Sequence, residues 1–416
     1  MRKSQKESTN KSKKYFRFFC VLAILHYLCR LMKRTTIFIG CLLAGLLFCS
    51  QATSAQKREQ FEFYKNMPVY ADSLIADMTY PLAWGTSGIQ DFNEWRAAAR
   101  AKVLECMMTP PPAASDYDMR VIAEEQRDGY KAQKIEFRLS KYYSVRALLL
   151  IPDSKGKHPA INLLHDHGAH LFIGKEKMIR PFADDSLVIR DAEAWAENLY
   201  DGHFWGDDLA REGYVVFSAD APMWGERGRK EGVDRQKYDV VAGNMMMYGR
   251  SLSAFMTYDD IATTDFLATL PFVDASRIGC AGCSMGGYRA WMLAALSDKI
   301  RMGACVCWMV TSDVQLTTRY GRGENGGFAN CIPALRQYLD YPHIASIACP
   351  KPMLFIHATK DKLFPMPGVE KAFGIMHQVW DSQKAGSSLE TDYIDAPHSC
   401  PLEAQQKVLK FLKKHL

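Results

Sequence analysis

The chain has 416 residues, 48% of them hydrophobic and 24% charged, with a formal net charge of +6. That length is ample for a substantial core and suits one large α/β domain with an added segment, or two domains. The positive charge is no argument for nucleic acid: the first 34 residues hold ten Lys/Arg and one Glu, and without them the balance falls to −3.

The front of the chain reads as a processing segment. Met32-Lys33-Arg34 is followed by an uninterrupted apolar run over 37–48 and then by Ser50-Gln51-Ala52-Thr53-Ser54-Ala55. A basic region, an apolar region and a small-residue cleavage site make a secretory signal peptide, here 32–55 with the cut expected after Ala55. Residues 1–31 then read as upstream sequence ahead of the true start at Met32. The rival reading, a membrane anchor over 16–31, is interrupted by Arg17, His26 and Arg30, and the run from Ile37 is short for a spanning helix. The expectation is a periplasmic or secreted protein with no membrane span in the mature chain. Eight of the twelve cysteines lie beyond residue 50, and none forms a zinc-ribbon pair. Export permits disulfides without fixing their pairing.

Residues 56–127 are expected to form an N-terminal helical segment packed on a main domain at 128–416. Its clearest part is Trp95-Arg96-Ala97-Ala98-Ala99-Arg100, rich in helix formers, and Pro110-Pro111-Pro112 cannot continue it. Ile135, Phe137 and Leu139 alternate with polar residues, and 145–151 is apolar; the pair reads as a hairpin turning near 141–143. Further buried strands are expected at 160–164, 214–218, 277–281, 302–308, 352–357 and 389–394. A last amphipathic helix follows over 401–416. A hairpin followed by strands alternating with helices implies an α/β fold: a mostly parallel sheet with helices on both faces. Ligands in such sheets sit at the carboxyl ends of the strands.

Gly282-Cys283-Ser284-Met285-Gly286 lies between a predicted strand and a helix-forming run. A G-x-S-x-G sequence in that setting is a nucleophile elbow, with Ser284 at the tip of a turn too sharp for side chains at the flanking glycines. A serine hydroxyl needs a base to take its proton, and the base needs a carboxylate to orient it. His398 follows the last predicted strand and is the candidate base. Asp361 follows the one before and is the candidate acid, with Asp395 as its rival. Acyl transfer also needs backbone N–H groups aimed at the oxyanion. Met285, next after the serine, is one candidate, and His167, in the loop His165-Asp166-His167-Gly168-Ala169-His170, is the other. A metal site on the three histidines of that loop is the competing reading, although their spacing matches no common zinc pattern. Trp224 and Arg227, in the stretch 220–228, and Trp308 are candidate substrate contacts, as is the loop 321–327. The bland reading of Trp224 and Arg227 is a loop brace through an internal Glu–Arg pair. Cys283 and Cys400 flank the candidate site, and both a disulfide between them and two buried thiols stay open.

At these residues the chain resembles a known family. The run Val273-Asp274-Ala275-Ser276-Arg277-Ile278-Gly279 into the elbow resembles the dienelactone-hydrolase and acetyl-xylan-esterase-like branch of the α/β-hydrolases. Leu164-His165-Asp166-His167-Gly168, Gly174-Lys175-Glu176, 220–227 and 351–365 look like a group of exported bacterial esterases associated with polysaccharide utilisation. The resemblance covers about 90–416. Ser284 stands where dienelactone hydrolases carry cysteine, and His165-Asp166 stands where the family has His-Gly. The resemblance implies a serine esterase acting on a carbohydrate ester, by expectation acetyl, with no cofactor. A peptidase on the same fold, and a non-catalytic glycan-binding protein, are the alternatives. The intact serine, acid and base argue against the latter.

Overall fold

The structure is a computed structural model that describes residues 62–64, 67–228, 235–320 and 327–416. The expected signal peptide, the reading of 1–31 and most of the glycine-rich loop at 321–327 lie outside these residues. Among the described residues, no helix is long and apolar enough to cross a membrane.

Among those residues a nine-stranded sheet carries the fold. Its strands are β1 (Arg120–Arg127), β2 (Tyr130–Ser140), β3 (Tyr143–Pro152), β4 (His158–Leu164) and β5 (Val215–Ala219). They continue with β6 (Val273–Cys283), β7 (Ile300–Val306), β8 (Met353–Ala358) and β9 (Leu389–Ile394). The spatial order is β9-β8-β7-β6-β4-β5-β3-β2-β1. Neighbours from β1 to β5 pair antiparallel, and the pairs from β5 across to β9 are parallel. The expected hairpin is β2–β3, turning at Lys141 and Tyr142. This is the α/β-hydrolase arrangement.

One strand was not legible in the sequence. Residues 120–127, assigned by composition to the N-terminal segment, are β1 at the edge of the sheet. Both its faces are largely exposed, so no alternation of apolar and polar residues marks it.

Helices cover both faces. On one lie α1 (Phe92–Met107), α5 (Leu252–Leu267), α6 (Met285–Leu296) and α8 (Met366–Ser382). On the other lie α3 (Trp205–Arg211) and α9 (Leu402–His415), with α2 (Ser186–Leu199) beside them. Helix α4 (Arg235–Met247) and the short α7 (Tyr341–Ala345) stand in the connections after β5 and β7. α1 shows why the sequence folds this way. Asp91 caps it by accepting from the Glu94 N–H at 2.9 Å. Trp95, Ala99, Val103 and Met107, four apart, form its buried stripe.

Register places the site. Leu164 pairs with Gly282, Cys283 with Val306, Val306 with Ile356 and Ala358 with Ile394. The strands β4, β6, β7, β8 and β9 therefore end level, and the loops that follow them share one edge.

α7 carries a titratable cap. The Asp340 side chain accepts from the helix, and the Asp340 N–H donates to His343 Nδ1 at 3.0 Å. Burial, only partly offset by Asp340, depresses His343 from 6.5 to about 4. The folded chain therefore binds this proton less readily than the unfolded chain. Stability is intact above pH 6.5 and falls as pH drops from 6.5 towards about 4, with a ceiling on the order of 3 kcal/mol from this group. His343→Gln keeps an acceptor for the cap and removes the titration. Thermal melts between pH 7 and 4 should show the variant losing less stability than the parent; parallel curves would reject the assignment.

Candidate active site

The turn between β6 and α6 is set by missing side chains. A Cβ on Gly286 would fall inside the Leu164 carbonyl oxygen, and one on Gly282 would come within 2.6 Å of the same oxygen. A Cβ on Gly287 would stand 2.9 Å from the Val306 carbonyl oxygen. The start of α6 thus lies against the ends of β4 and β7. Ser284 takes up the bend with φ 55° and ψ −126°, a region almost reserved for glycine. The Ser284 N–H donates to Val306 O at 2.9 Å, which ties the turn to β7. Met285 is the first residue of α6, where an amide N–H has no intrahelical acceptor.

Three side chains from three loops meet at this turn. The Ser284 hydroxyl donates to His398 Nε2 at 2.8 Å, and His398 Nδ1 donates to Asp361 Oδ2 at 2.6 Å. The Asp361 side chain is fully buried and also accepts from the Leu363 N–H at 2.7 Å. His398 keeps 18% of its side chain exposed. The Phe364 ring stacks on the imidazole, with centroids 5.7 Å apart. The acid and base loops are joined by backbone bonds, Thr359 N–H to Ile394 O and Lys360 N–H to Ala396 O. Asp395, the rival acid, faces solvent with 77% of its side chain exposed and pairs with Lys360.

The loop after β4 is held from below. Asp166 is buried and accepts from Lys177 Nζ (3.1 Å), Trp195 Nε1 (3.1 Å) and the Tyr200 hydroxyl (2.8 Å). The His167 carbonyl accepts from Lys177 Nζ at 3.1 Å and Trp224 Nε1 at 3.2 Å. Its ring Nδ1 accepts from the Ala169 N–H. Burial pushes the His165 imidazole well below its usual range, with Arg289 and Lys177 adding to the effect. It stays neutral, donating to Asp166 O and accepting from the Ala221 N–H. His170 turns instead to Asp191 at 2.5 Å and stacks on Trp195. The three histidines are therefore turned to different partners.

A second buried cluster fixes the loop after β5. Lys175 Nζ lies 2.8 Å from Glu176, 2.9 Å from Asp220 and 2.8 Å from Glu226. Burial works to raise Glu226, but Lys175, helped by Lys134 and Arg146, holds it at about 2. The Asp220 carboxylate also accepts from the N–H groups of Lys175 and Glu226.

This arrangement corrects the substrate-contact readings. Trp224 is fully buried and braces His167, so its face is not open to a sugar. Arg227 does brace the loop, but through Asp259 at 2.6 Å and the Asp220 carbonyl, while Glu226 belongs to Lys175. Trp308 is 2% exposed among Tyr288, Trp291, Tyr341 and Phe364, one ring behind His398. Cys283 and Cys400 are free thiols, so the disulfide reading fails. Cys307, which follows β7, donates from Sγ to Ser399 O at 3.3 Å. Asp166, Lys175, Lys177, Cys307 and Phe364 were not foreseen. Asp166, Lys175 and Phe364 fall in stretches that carry the family resemblance, and Asp166 and Cys307 sit within two residues of the ends of β4 and β7, but nothing in the sequence marks Lys177, 13 residues past β4.

Residues 73–383 match the Abhydrolase family. The Bacillus subtilis (strain 168) protein YtaP, whose name calls it a hydrolase, is 25% identical over 320 residues, 77% of this chain and 99% of that one. Three solved structures share the fold. A Bacteroides fragilis NCTC 9343 protein named as a candidate acetyl xylan esterase has a TM-score of 0.60 at 20% identity, covering 82% of this chain and 84% of that one. A protein named methylesterase BT1017 gives 0.57 at 18%, covering 86% and 70%. A glucuronoyl esterase from Solibacter usitatus gives 0.56 at 14%, covering 79% and 94%.

The strained serine yields a prediction that needs no substrate. Glycine adopts this backbone region without penalty and alanine does not. Ser284→Gly should therefore be more stable than Ser284→Ala by about 1 kcal/mol. Equal denaturation midpoints would show that the elbow stores no such strain.

Proposed function

The chain belongs to the Abhydrolase family, and within it we propose a serine-dependent carboxylic ester hydrolase that removes acyl groups, acetyl first among them, from carbohydrate. The observation that carries this reading is the hydrogen-bonded chain Ser284–His398–Asp361 at a strained turn.

In this reading Ser284 Oγ attacks the ester carbonyl carbon while His398 Nε2 takes the hydroxyl proton. Asp361 stabilises the imidazolium and fixes which ring nitrogen faces the serine. The oxyanion sits against the Met285 N–H at the start of α6 and a backbone N–H of the 165–168 loop, with His167 as the donor. Helix α6 adds its positive end to that position. His398 then passes its proton to the departing alcohol oxygen, a sugar hydroxyl for an acetyl ester or methanol for a methyl uronate, leaving the acyl group on Ser284. Water, activated by the same imidazole, releases the acid and restores the hydroxyl. Every group required is a side chain or amide of the chain, so the mechanism calls for no metal or organic cofactor.

The sugar side of the reading rests on different support. The motif resemblance and the names of the fold relatives point to acetyl, methyl and glucuronoyl esters of polysaccharides as the substrates to try. Export to the periplasm or beyond suits such substrates and agrees with the signal peptide read at 32–55.

A fluorophosphonate probe should label Ser284, and Ser284→Ala should abolish the label. Purified protein should release acetate from acetylated xylan, or methanol from pectin or methyl uronates, and Ser284→Ala should lower turnover by at least ~10⁴-fold. Release that survives in the alanine variant would reject the mechanism. Labelling without release from any of these esters would reject the carbohydrate reading.

A further inference from the structure

The chemistry proposed above turns on the direction of a backbone N–H in the loop after β4, and the carbonyls of that loop are held. The Asp166 carbonyl oxygen accepts from Lys177 Nζ at 3.3 Å and from His165 Nδ1 at 2.9 Å. His165 can donate there because its Nε2 accepts from the Ala221 N–H at 3.0 Å, which leaves the ring proton on Nδ1. The next carbonyl, that of His167, accepts from the same Lys177 Nζ at 3.1 Å, from Trp224 Nε1 at 3.2 Å and from the His170 N–H at 3.2 Å. One ammonium thus grips two consecutive peptides, and its third contact is the Asp166 carboxylate at 3.1 Å.

Lys177 is fully buried and lies over the Trp195 ring at 4.6 Å. Taking an ammonium out of water is costly, and an apolar side chain packed on the same indole would often be at least as stable. What the ammonium supplies is direction. In a trans peptide the C=O and the N–H point opposite ways. Holding the Asp166 and His167 carbonyls towards Lys177 therefore turns the His167 and Gly168 N–H groups to the other side. A flip of either peptide would break a charge-assisted hydrogen bond and leave a buried ammonium short of an acceptor. Gly168 restricts the loop further: its φ is 58°, and a Cβ there would fall 2.2 Å from the Trp195 ring. The loop held in this way lies against the elbow. A Cβ on Gly286 would stand 3.1 Å from the His165 carbonyl oxygen. Trp224 and Tyr238, which pack edge-on to the His167 ring, share an apolar cluster with Met285.

We infer that Lys177 is a positioning residue for catalysis: through the Asp166 and His167 carbonyls it fixes the loop amide that meets the oxyanion, so that the donor is aimed before substrate arrives. This rests on the ester-hydrolase reading. Such a donor contributes most when it needs no reorganisation at the moment of reaction. A loop free to flip would present a carbonyl oxygen, in place of an N–H, to the developing negative charge. Acylation and deacylation both pass through that charge, so Lys177 acts on both steps and not on binding of the ground-state ester.

The test separates aim from packing. Lys177→Met keeps an unbranched apolar side chain and removes the ammonium. The double variant Asp166→Asn with Lys177→Met removes both charges together, so no unpaired carboxylate is left inside, and the asparagine still offers an oxygen to Trp195 and Tyr200. Hydrolysis of 4-nitrophenyl acetate is measured per active site, the sites being counted by fluorophosphonate labelling carried to completion so that unfolded molecules drop out. Both variants should lose at least ~10-fold in kcat and in kcat/KM alike, with KM little changed, as expected for an interaction made only in the transition state. Affinity for phenyl trifluoromethyl ketone, which adds to a serine as a tetrahedral oxyanion, should fall by the same factor. A residue that only braced the fold would lower the number of labelled sites and leave kcat per site unchanged. That result, a rise in KM at constant kcat, or an unchanged ketone affinity overturns the inference and leaves the ester-hydrolase reading intact. A parent chain that neither labels at Ser284 nor turns over overturns both.

Discussion

The structure depends on how closely α6 approaches the end of β4. Gly286 and Gly282 face the Leu164 carbonyl oxygen with no room for a Cβ. That contact forces the reversal between β6 and α6 into a single residue and leaves Ser284 in a backbone region that serine rarely occupies. The strain is sustained because the surrounding packing over-determines it: α6 is buried along its whole length, and the Ser284 N–H is fixed to β7. A serine held this way cannot retreat into a regular strand or helix, so its hydroxyl stays at the shared edge of the sheet, where the imidazole waits.

Around this fixed point the loops are positioned by buried charge. Lys175 is enclosed by three carboxylates, and Lys177 is held by Asp166 beneath the loop after β4. Removing such charges from water is expensive, and well-packed apolar residues would often be at least as stable. Geometry is what the ion pairs supply. Lys175 joins its own segment to the loop after β5, Lys177 ties its segment back to the loop after β4, and each demands particular donor directions that an apolar contact would not. The 165–178 and 220–228 stretches are thereby locked to one another beside the elbow, with Trp224 as a strut between them and Arg227 tying the second stretch to Asp259 of α5.

Much of this was visible in the amino-acid order, and the reason is locality. The elbow is five consecutive residues between a strand and a helix, and its glycines report a steric fact that no distant contact alters. The order of Ser284, Asp361 and His398 follows from the strands that precede them, whose apolar runs are contiguous. What stayed hidden depends on partners far along the chain. Trp224 looks like an exposed sugar platform until the His167 carbonyl is seen to claim its N–H. Glu226 and Arg227 look like a local pair, but Lys175 and Asp259 take them separately. Strand β1 was missed because both its faces meet water, so burial never imprinted a period on it.

That same strand says something about how the molecule keeps to itself. An open sheet offers unpaired amides at each end to any neighbouring copy. β1 is broken by a bulge between Val121 and Ala123 and studded with Arg120, Glu124, Glu125 and Arg127. At the opposite end, Glu390 and Asp392 of β9 are matched to Lys414 and Lys407 of α9. Both selvedges of this nine-stranded fabric are thus hemmed, which works against edge-to-edge zipping of crowded copies along it.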